Sequence, residues 1–294
     1  MTTTPRPRWS CLAAARAHCA EQRIRFEIST PNGALCVGSV DRAHLPVLAR
    51  HAPALTLSEH HVRLDVPVFD RTPCLARINA ALRAAGLIRA WRNETYAIVT
   101  ALGAPPLAHI ERAASRFWGT LTFGAHCNGH VLGTDGRPSH LWIARRSLSK
   151  ATDPGLLDNL VGGGVPHDQQ PFETLVREGW EEAGLAPERM RAATAHSVYH
   201  LVRDIPEGLQ VEDLHVFDLA LPEDITPINQ DGEVAEFRRM PVREALEHAA
   251  SGEMTVDAAL ATLDFGLRHD LLRSGEPALL SQAAAALRRC NSDA

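Results

Sequence analysis

The chain has 294 residues, enough for two ordinary domains or for one large domain with a substantial core. Hydrophobic residues make up 45% of it and charged residues 22%, which is the balance of a soluble globular protein. The formal net charge of −5 disfavours a non-specific nucleic-acid binder, whose surface is usually strongly basic. Because no uninterrupted apolar run approaches the roughly 18 residues of a membrane span, we expect neither nucleic acid nor a membrane as a partner.

The start of the chain and its cysteines indicate a reduced, cytoplasmic compartment. Residues 1–8 are polar, and the following stretch is interrupted by Arg16 and His18, so no secretory signal is expected. The six cysteines form no CxxC pair, so they predict neither a zinc site nor a disulfide framework.

The first part of the chain mixes helical and extended patterns. In chain order it predicts a helix over 10–22, a hairpin over 26–40, a helix over 74–85, a strand over 95–100 and a helix over 108–117. Gly86 ends one of these helices, and residues 104–106 break the chain after the strand. These elements predict a smaller α+β domain over residues 1–119.

From about residue 120 the pattern changes. Strands are predicted over 121–132, 141–146, 194–202, 211–220 and 237–240, and helices over 171–183, 242–250 and 256–272. Gly184 stands at the usual position of a left-handed helix cap. Strands, one central helix, further strands and terminal helices together predict an α/β sandwich with a mixed sheet over residues 120–294.

Three glutamates of the central helix carry the clearest chemical pattern. Glu178, Glu181 and Glu182 stand at positions i, i+3 and i+4, so they share one helical face. Three like charges on one face repel one another unless a cation lies among them. Oxygen ligands suit Mg²⁺ or Mn²⁺, so the spacing predicts a divalent metal site.

Two further features accompany the glutamates. The glycine run 162–164 precedes the helix, and a backbone without side chains lets a phosphate approach closely. Arg177 lies four residues from both Glu173 and Glu181 and can steady the acidic cluster. A solvated acidic helix after a flexible glycine turn is the alternative, but it does not explain why all these features occur together.

This run resembles the Nudix box, a pattern of glycine, five residues, glutamate, seven residues and then Arg-Glu-apolar-any-Glu-Glu-any-Gly-apolar. The box glycine corresponds to Gly163, and the matching residues of the helix are Arg177, Glu178, Glu181, Glu182, Gly184 and Leu185. Two positions depart from the pattern. Gln169 stands where the first glutamate belongs, and Gly179 replaces an apolar residue at a cost of roughly 1 kcal/mol relative to alanine.

The resemblance extends to one branch of the family, the Nudix domain related to fungal thiamine pyrophosphokinase proteins, and to the N-terminal region that accompanies it. It covers most of the chain from about residue 68 to 265. The segments that carry it are 91–96, 111–113, 117–119, 126–129, 141–146, 150, 154–155, 157–159, 231–234 and 237. The kinase part of the fungal fusion has no counterpart here.

The resemblance implies a Nudix α/β/α sandwich and a metal-dependent hydrolase with Mg²⁺ or Mn²⁺ on Glu178, Glu181 and Glu182. It further implies hydrolysis of thiamine diphosphate, or of its oxidised analogues, to the monophosphate, by a monomer or homodimer. ADP-ribose, a dinucleotide or a coenzyme A derivative is an alternative substrate. A catalytically idle binding module is a second alternative, suggested by Gln169 and Gly179. An isomerase is a third, although Cys127 has no surrounding motif to support it.

Four more residues are candidates for the site. Arg146 and Lys150, which stand just before the glycine run together with Arg145, could neutralise a diphosphate or could lie on a solvated strand end. Glu233 could be a further acidic ligand or base, beside Glu178 and Glu182, or an exposed turn residue. Trp91 could stack on a heteroaromatic ring, or it could be part of the core.

Overall fold

A computed structural model describes residues 8–289 of the chain. Cys290 lies outside the described residues, and the other five cysteines are free thiols. Across residues 8–289 no helix is both long and apolar enough to cross a membrane.

The α-helices are numbered in chain order. They are α1 Ser10–Ala14, α2 Leu45–Leu48, α3 Val68–Ala84, α4 Arg112–Trp118, α5 Pro171–Ala183, α6 Pro187–Met190, α7 Val242–Ser251, α8 Val256–Arg268 and α9 Pro277–Ala285.

The strands are also numbered in chain order. They are β1 Arg23–Thr30, β2 Gly33–Asp41, β3 Leu55–Leu57, β4 His61–Leu64, β5 Thr95–Ile98, β6 Ala108–Glu111, β7 Leu121–Leu132, β8 Pro138–Arg146, β9 Leu157–Asp158, β10 Val161–Gly164, β11 Thr194–Ile205, β12 Gly208–Ala220 and β13 Val234–Pro241.

The larger sheet has the strand order β11-β12-β7-β8-β13, and β10 and β9 pair with β7 and β8 respectively. Strand β7 lies in the middle and is buried along almost its whole length. It pairs parallel with β12 and antiparallel with β8 and β10, so the sheet is mixed, as expected.

Helices cover both faces of this sheet. Helix α5 packs on one face, where Leu175 and Ala183 meet Phe123 and Phe217 in an apolar core. Helices α7 and α8 pack on the other face in a second core. The α/β/α arrangement confirms the fold class that the sequence indicated.

The N-terminal region has its own sheet, in the order β2-β1-β4-β3, and its own core with α3 and α4. Phe26 and Trp118 are fully buried at its centre, with ring centroids 4.4 Å apart. The start of the chain lies elsewhere. Trp9, Cys11 and Ala15 pack with α7 and α8 in the core of the larger sheet.

Two predicted helices of the N-terminal region are wrong in part. The helix predicted over 10–22 ends at Ala14, because the carbonyls of Ala15 and Ala17 accept hydrogen bonds from Val202 and Asp204 on the edge strand β11. The helix predicted over 108–117 begins only at Arg112. The preceding four residues form β6, which pairs with β5 and completes a two-stranded ribbon.

Candidate active site

Helix α5 has the bounds that its sequence predicts, because its ends are capped. Pro171 occupies the first turn, and the Glu173 carboxylate accepts a hydrogen bond from the Gln170 amide at 2.8 Å. Gly184 ends the helix with φ of 63°, a left-handed conformation that suits glycine. The helix therefore holds its acidic face at a fixed position on the sheet.

Glu178 and Glu182 lie at the contact between α5 and β10. Glu182 is buried, and its Oε2 accepts a hydrogen bond from the Gly162 amide at 2.9 Å. A methyl group on Gly163 would lie 2.5 Å from Oε1 of Glu178, so this carboxylate approaches the backbone closely. The glycines thus belong to a paired strand, which rules out the alternative of a flexible glycine turn. Glycine is needed at Gly163 because a side chain there would displace Glu178.

Burial changes the protonation of this pair. Desolvation raises the pKa of Glu182 to about 8, and the charge of Glu178 adds to the effect. Desolvation also raises the pKa of Glu178, although Arg177 opposes the shift. Two neighbouring carboxylates whose pKa values burial raises are an oxygen donor pair whose charge a divalent cation would balance.

The third glutamate points away from this pair. Arg177 donates to Glu181 at 2.5 Å and to Glu178 at 2.8 Å. Its Nε also donates to Oε1 of Gln169 at 3.3 Å, so Gln169 occupies the end of the same network. Within the described chain no three His, Cys, Asp or Glu side chains lie together as a ready metal cage. The donor chemistry therefore fits a divalent cation at Glu178 and Glu182, while Glu181 remains bound to Arg177.

A cavity of about 490 Å³ opens beside the carboxylate pair. Gly162, Gly163, Gly164 and Glu178 form part of its wall. The N-terminal region forms another part with Arg89, Ala90, Arg92, Arg112, Ala113 and Arg116, and the ends of β11 and α8 complete it. The cavity is therefore built by both parts of the chain.

The predicted phosphate-binding residues lie on this wall, each with an acidic partner. Lys150 forms an ion pair with Glu233, which also lines the cavity. Arg146 forms an ion pair with Asp158 at 2.8 Å. Burial lowers the pKa of Lys150. Arg145 points away and pairs with Glu236, so it does not join this group.

Sequence reasoning missed several cavity residues. Arg112 lies beside Tyr96 and next to Gly164, and it donates to Glu94 at 2.8 Å. Burial raises the pKa of the Tyr96 hydroxyl to about 12. Arg112 and Tyr96 lie in the segments 111–113 and 91–96, whose resemblance to the accompanying N-terminal region was the indication that this part of the chain matters.

The polar residues around His126 were also missed. Its Nδ1 lies 2.9 Å from the Oδ1 of Asn159 and 3.6 Å from a carboxylate oxygen of Asp158. A methyl group on Gly162 would lie 2.8 Å from this imidazole ring. His126 therefore forms the floor of the cavity under the glycine strand.

Of the two alternatives for Trp91, the structure favours the core. Trp91 packs on the N-terminal core beneath Arg83, whose guanidinium carbon lies 4.6 Å from its ring centroid, and Trp91 is not among the cavity residues. Trp118 is fully buried and donates to Asn79 at 2.8 Å. Both tryptophans therefore belong to the apolar core of the N-terminal region.

Two family models match the chain. The model of the NUDIX domain matches residues 128–259, and that of a domain of unknown function, DUF4743, matches residues 11–122. Nudix hydrolase 24, chloroplastic, of Arabidopsis thaliana is 36% identical over 251 residues, which cover 83% of this chain and 68% of that protein. Nudix hydrolase 20, chloroplastic, of the same plant is 40% identical over 207 residues, which cover 69% of this chain and 54% of that protein.

A solved structure of DR0079 from Deinococcus radiodurans is also similar, with 23% identity and a TM-score of 0.42. It covers 58% of this chain and 98% of that one. The chain belongs to the Nudix hydrolase family, as a Nudix domain with an N-terminal DUF4743 domain. It is a Nudix diphosphohydrolase. It spans about two thirds of the length of one Arabidopsis relative and about half of the other.

Proposed function

We propose that this enzyme hydrolyses the diphosphate bond of a small organic diphosphate at the cavity beside α5. One observation carries the proposal: the buried carboxylates of Glu178 and Glu182 lie against the glycine strand at the wall of a closed-in cavity that also presents Lys150 and Arg146. Anionic ligands for a cation and cationic ligands for phosphate thus occur side by side.

We propose Mg²⁺ or Mn²⁺ as the metal, with Glu178, Glu181 and Glu182 as its protein ligands. Such a cation, when bound, neutralises phosphate charge and lowers the pKa of a water molecule. Glu178 and Glu182 are already held beside the glycine strand. Glu181 completes the set if its carboxylate turns from Arg177, which holds it at 2.5 Å and is itself supported by Gln169.

Three carboxylates are candidates for accepting the proton of the attacking water. Glu182 is our first choice, because it lies beside Glu178 at the proposed metal site and the Gly162 amide fixes one of its oxygens. Glu178 adjoins it. Glu233 is a weaker candidate, because Lys150 already engages its carboxylate.

The phosphate groups have a separate set of partners. Arg146 and Lys150 supply charge from the Nudix domain, and Arg112 supplies it from the N-terminal region. Gly163 and Gly164 leave the backbone open to a close approach. We propose that these groups orient the diphosphate towards Glu178 and Glu182.

For the substrate, we propose thiamine diphosphate or its oxidised analogues, converted to the monophosphate. The support is the resemblance of segments throughout residues 68–265 to the Nudix domain related to fungal thiamine pyrophosphokinase proteins. The six N-terminal residues in the cavity wall add a second reason, since an N-terminal region that lines the site can select the organic half.

We propose that the chain has two units. Residues 1–119 contribute to substrate selection, and residues 120–294 carry the hydrolytic site. The first unit holds its own core, and the second holds the metal-binding helix. The helix α1 is an exception, because it packs in the core of the second unit. The chain therefore first packs α1 on the second unit and then forms the sheet of the first unit.

A diphosphate panel tests this function. Purified full-length chain is incubated with thiamine diphosphate, oxothiamine diphosphate, ADP-ribose, a diadenosine polyphosphate and coenzyme A, with Mg²⁺ or with EDTA. We expect metal-dependent release of phosphate, with the highest kcat/KM for the two thiamine compounds. A higher kcat/KM for ADP-ribose, the dinucleotide or coenzyme A would mean that this compound represents the true substrate class. No turnover of any compound would indicate a binding module.

A further inference from the structure

The cavity wall is as acidic as it is basic. Seven of its residues are Arg or Lys and seven are Asp or Glu. A site that bound phosphate alone would gain nothing from acidic residues other than metal ligands, because each of them repels the ligand. The remaining carboxylates therefore need a different explanation.

Three of these carboxylates have an internal partner. Glu212 accepts from Arg116 at 2.8 Å, Asp158 accepts from Arg146 at 2.8 Å, and Glu233 pairs with Lys150. These pairs fix the positions of the arginine and lysine side chains. In the described chain Asp153, Glu207 and Asp257 form no ion pair within 4.0 Å, and of these three only Asp257 has a buried oxygen without a hydrogen-bond partner.

Asp257 lies in the first turn of α8, with a half-buried side chain. Its Oδ2 accepts a long hydrogen bond from Gln210 at 3.4 Å, and its Oδ1 is buried with no partner among residues 8–289. The helix does not need this carboxylate as a cap, because Thr255 already accepts the Ala258 amide. A buried acceptor without a partner is costly unless a ligand supplies the donor.

The groups that face Asp257 come from four elements. Burial raises its pKa, and the neighbouring charge of Glu212 on β12 raises it further. His126 on β7, Arg203 on β11 and Arg116 on α4 oppose this shift, but none of them lies within ion-pair distance. Glu212 is already paired with Arg116 at 2.8 Å, so a positive group in this corner would meet the unpaired carboxylate of Asp257, which would repel a phosphate.

We propose that Asp257 is the specificity-determining residue for the organic half of the substrate, where its carboxylate accepts a hydrogen bond from an amino group carried by a positively charged heteroaromatic moiety. The proposal rests on the proposed function and names the part of the site that reads the ring. Glu212 adds negative charge, and Gln210 holds the carboxylate. Because the terminal torsion of aspartate is soft and nearly two-fold, either oxygen can turn to the ligand.

The two ends of the cavity then have opposite preferences. The glycine strand and the cationic residues take the phosphates, and the corner at Asp257 takes the cationic ring. A ligand that is negative at one end and positive at the other is selected over one that is negative throughout. This separation gives specificity without any aromatic stacking platform.

The test is a binding selectivity that does not depend on hydrolysis. Calorimetry with the full-length chain in EDTA compares thiamine monophosphate, whose ring is positively charged, with benzyl phosphate, whose ring is neutral. We expect the wild-type chain to prefer thiamine monophosphate. Asp257→Asn should reduce the ratio of the two affinities about tenfold, the size of one charge-assisted hydrogen bond. Asp224→Asn, an exposed change of equal charge, is the control and should leave the ratio as in the wild type.

Two results would overturn the proposal. One is a wild-type chain without preference for thiamine monophosphate, and the other is an Asp257→Asn ratio equal to that of the wild type. A role confined to a pairing with Arg203 would change the melting temperature but not the ratio. A chain that shows the Asp257-dependent preference but hydrolyses no thiamine diphosphate would refute the proposed substrate and keep this inference.

Discussion

Gln169 occupies the position at which the Nudix box has its first glutamate, and its side chain still accepts hydrogen bonds from the central helix. Its Oε1 accepts hydrogen bonds from Thr174 at 2.9 Å and from the Nε of Arg177 at 3.3 Å. A glutamate would offer the same acceptor with an added charge. The departure from the box therefore preserves the geometry around Arg177 and weakens its electrostatics.

Gln169→Glu tests this interpretation. We expect the free energy of unfolding to rise by about 0.5–1 kcal/mol, because a half-exposed ion pair with Arg177 replaces a neutral hydrogen bond. Activity should stay within about twofold of the wild type or rise, since both acceptor contacts remain. Urea unfolding and steady-state kinetics measure the two effects. A tenfold or greater loss of activity would mean that the amide nitrogen of Gln169 makes a contact essential to catalysis.

At this scale the sequence predicted the site only where its residues share one element. Spacing along α5 was enough to place Glu178 and Glu182 together, because helical periodicity fixes their relative direction. Spacing alone could not show that the Glu181 carboxylate pairs with Arg177 and does not join Glu178 and Glu182. Arg112, His126 and Asp257 come from segments that are distant in sequence, and only the folded sheet brings them to one cavity.

Helix α5 and strand β10 show why glycine is required at this contact. The sequence left a flexible turn over 162–164 open as an alternative, but Gly162 pairs with His126 and Gly163 with Ala125 in a regular ladder. The pattern of glycines is the same in both cases, so composition could not separate them. Elements with clear periodicity, such as 121–132 and 171–183, were predicted with their observed bounds.

The second departure from the Nudix box also has a structural explanation. A methyl group on Gly179 would lie 2.5–2.7 Å from the side chain of Met190, which is fully buried on α6. Met190 therefore fills the space that an apolar residue of the helix would otherwise take. The expected cost of glycine in the helix is offset by the packing of this neighbour.

Gly179→Leu should lower the free energy of unfolding by about 1–3 kcal/mol, the usual cost of overpacking a core. The double variant Gly179→Leu, Met190→Ala should be more stable than the sum of the two single changes, because the new side chain takes the vacated space. Chemical denaturation of all four chains measures this coupling. Additive effects would show that Gly179 and Met190 are independent.

At the scale of the whole molecule, the N-terminal region contributes charge to the cavity of the Nudix domain. Arg112→Met should raise KM for a diphosphate substrate about tenfold, since a charge-assisted contact to phosphate is lost. Arg83→Met is the control, because Arg83 stacks on Trp91 away from the cavity. Steady-state kinetics and a melting curve are measured for both. Equal KM values for the two variants would contradict a substrate contact by the N-terminal region.

A buried carboxylate also ties distant parts of the chain together. Asp264 of α8 is completely buried and accepts hydrogen bonds from Ser197, Tyr199, Arg268 and Arg288. Burial alone would raise the pKa of Asp264, but these hydrogen bonds and the charge of Arg268 lower it below its ordinary value. The network stabilises the packing of α8 and of residue 288 on β11.

Asp264→Asn should lower the free energy of unfolding by about 3–5 kcal/mol at neutral pH, as expected when one partner of a buried charge network is removed. Because the folded-state pKa is lowered, this stability is present above the unfolded pKa of about 3.9 and is lost as the pH falls below it. The difference from the wild type should therefore shrink below about pH 4 in denaturation experiments. A difference that stays constant from pH 7 to pH 3 would contradict the assignment.

The central claim is that the carboxylates of α5 and a divalent metal together hydrolyse a diphosphate. The most direct measurement is phosphate release from thiamine diphosphate during a Mg²⁺ titration, for the wild type, Glu182→Gln and the control Glu188→Gln on the exposed helix α6. We expect activity that EDTA abolishes, a loss of at least about a hundredfold in Glu182→Gln, and a melting temperature close to that of the wild type. Glu188→Gln should behave like the wild type. Wild-type turnover by Glu182→Gln at saturating Mg²⁺, or full wild-type activity in EDTA, would contradict the claim.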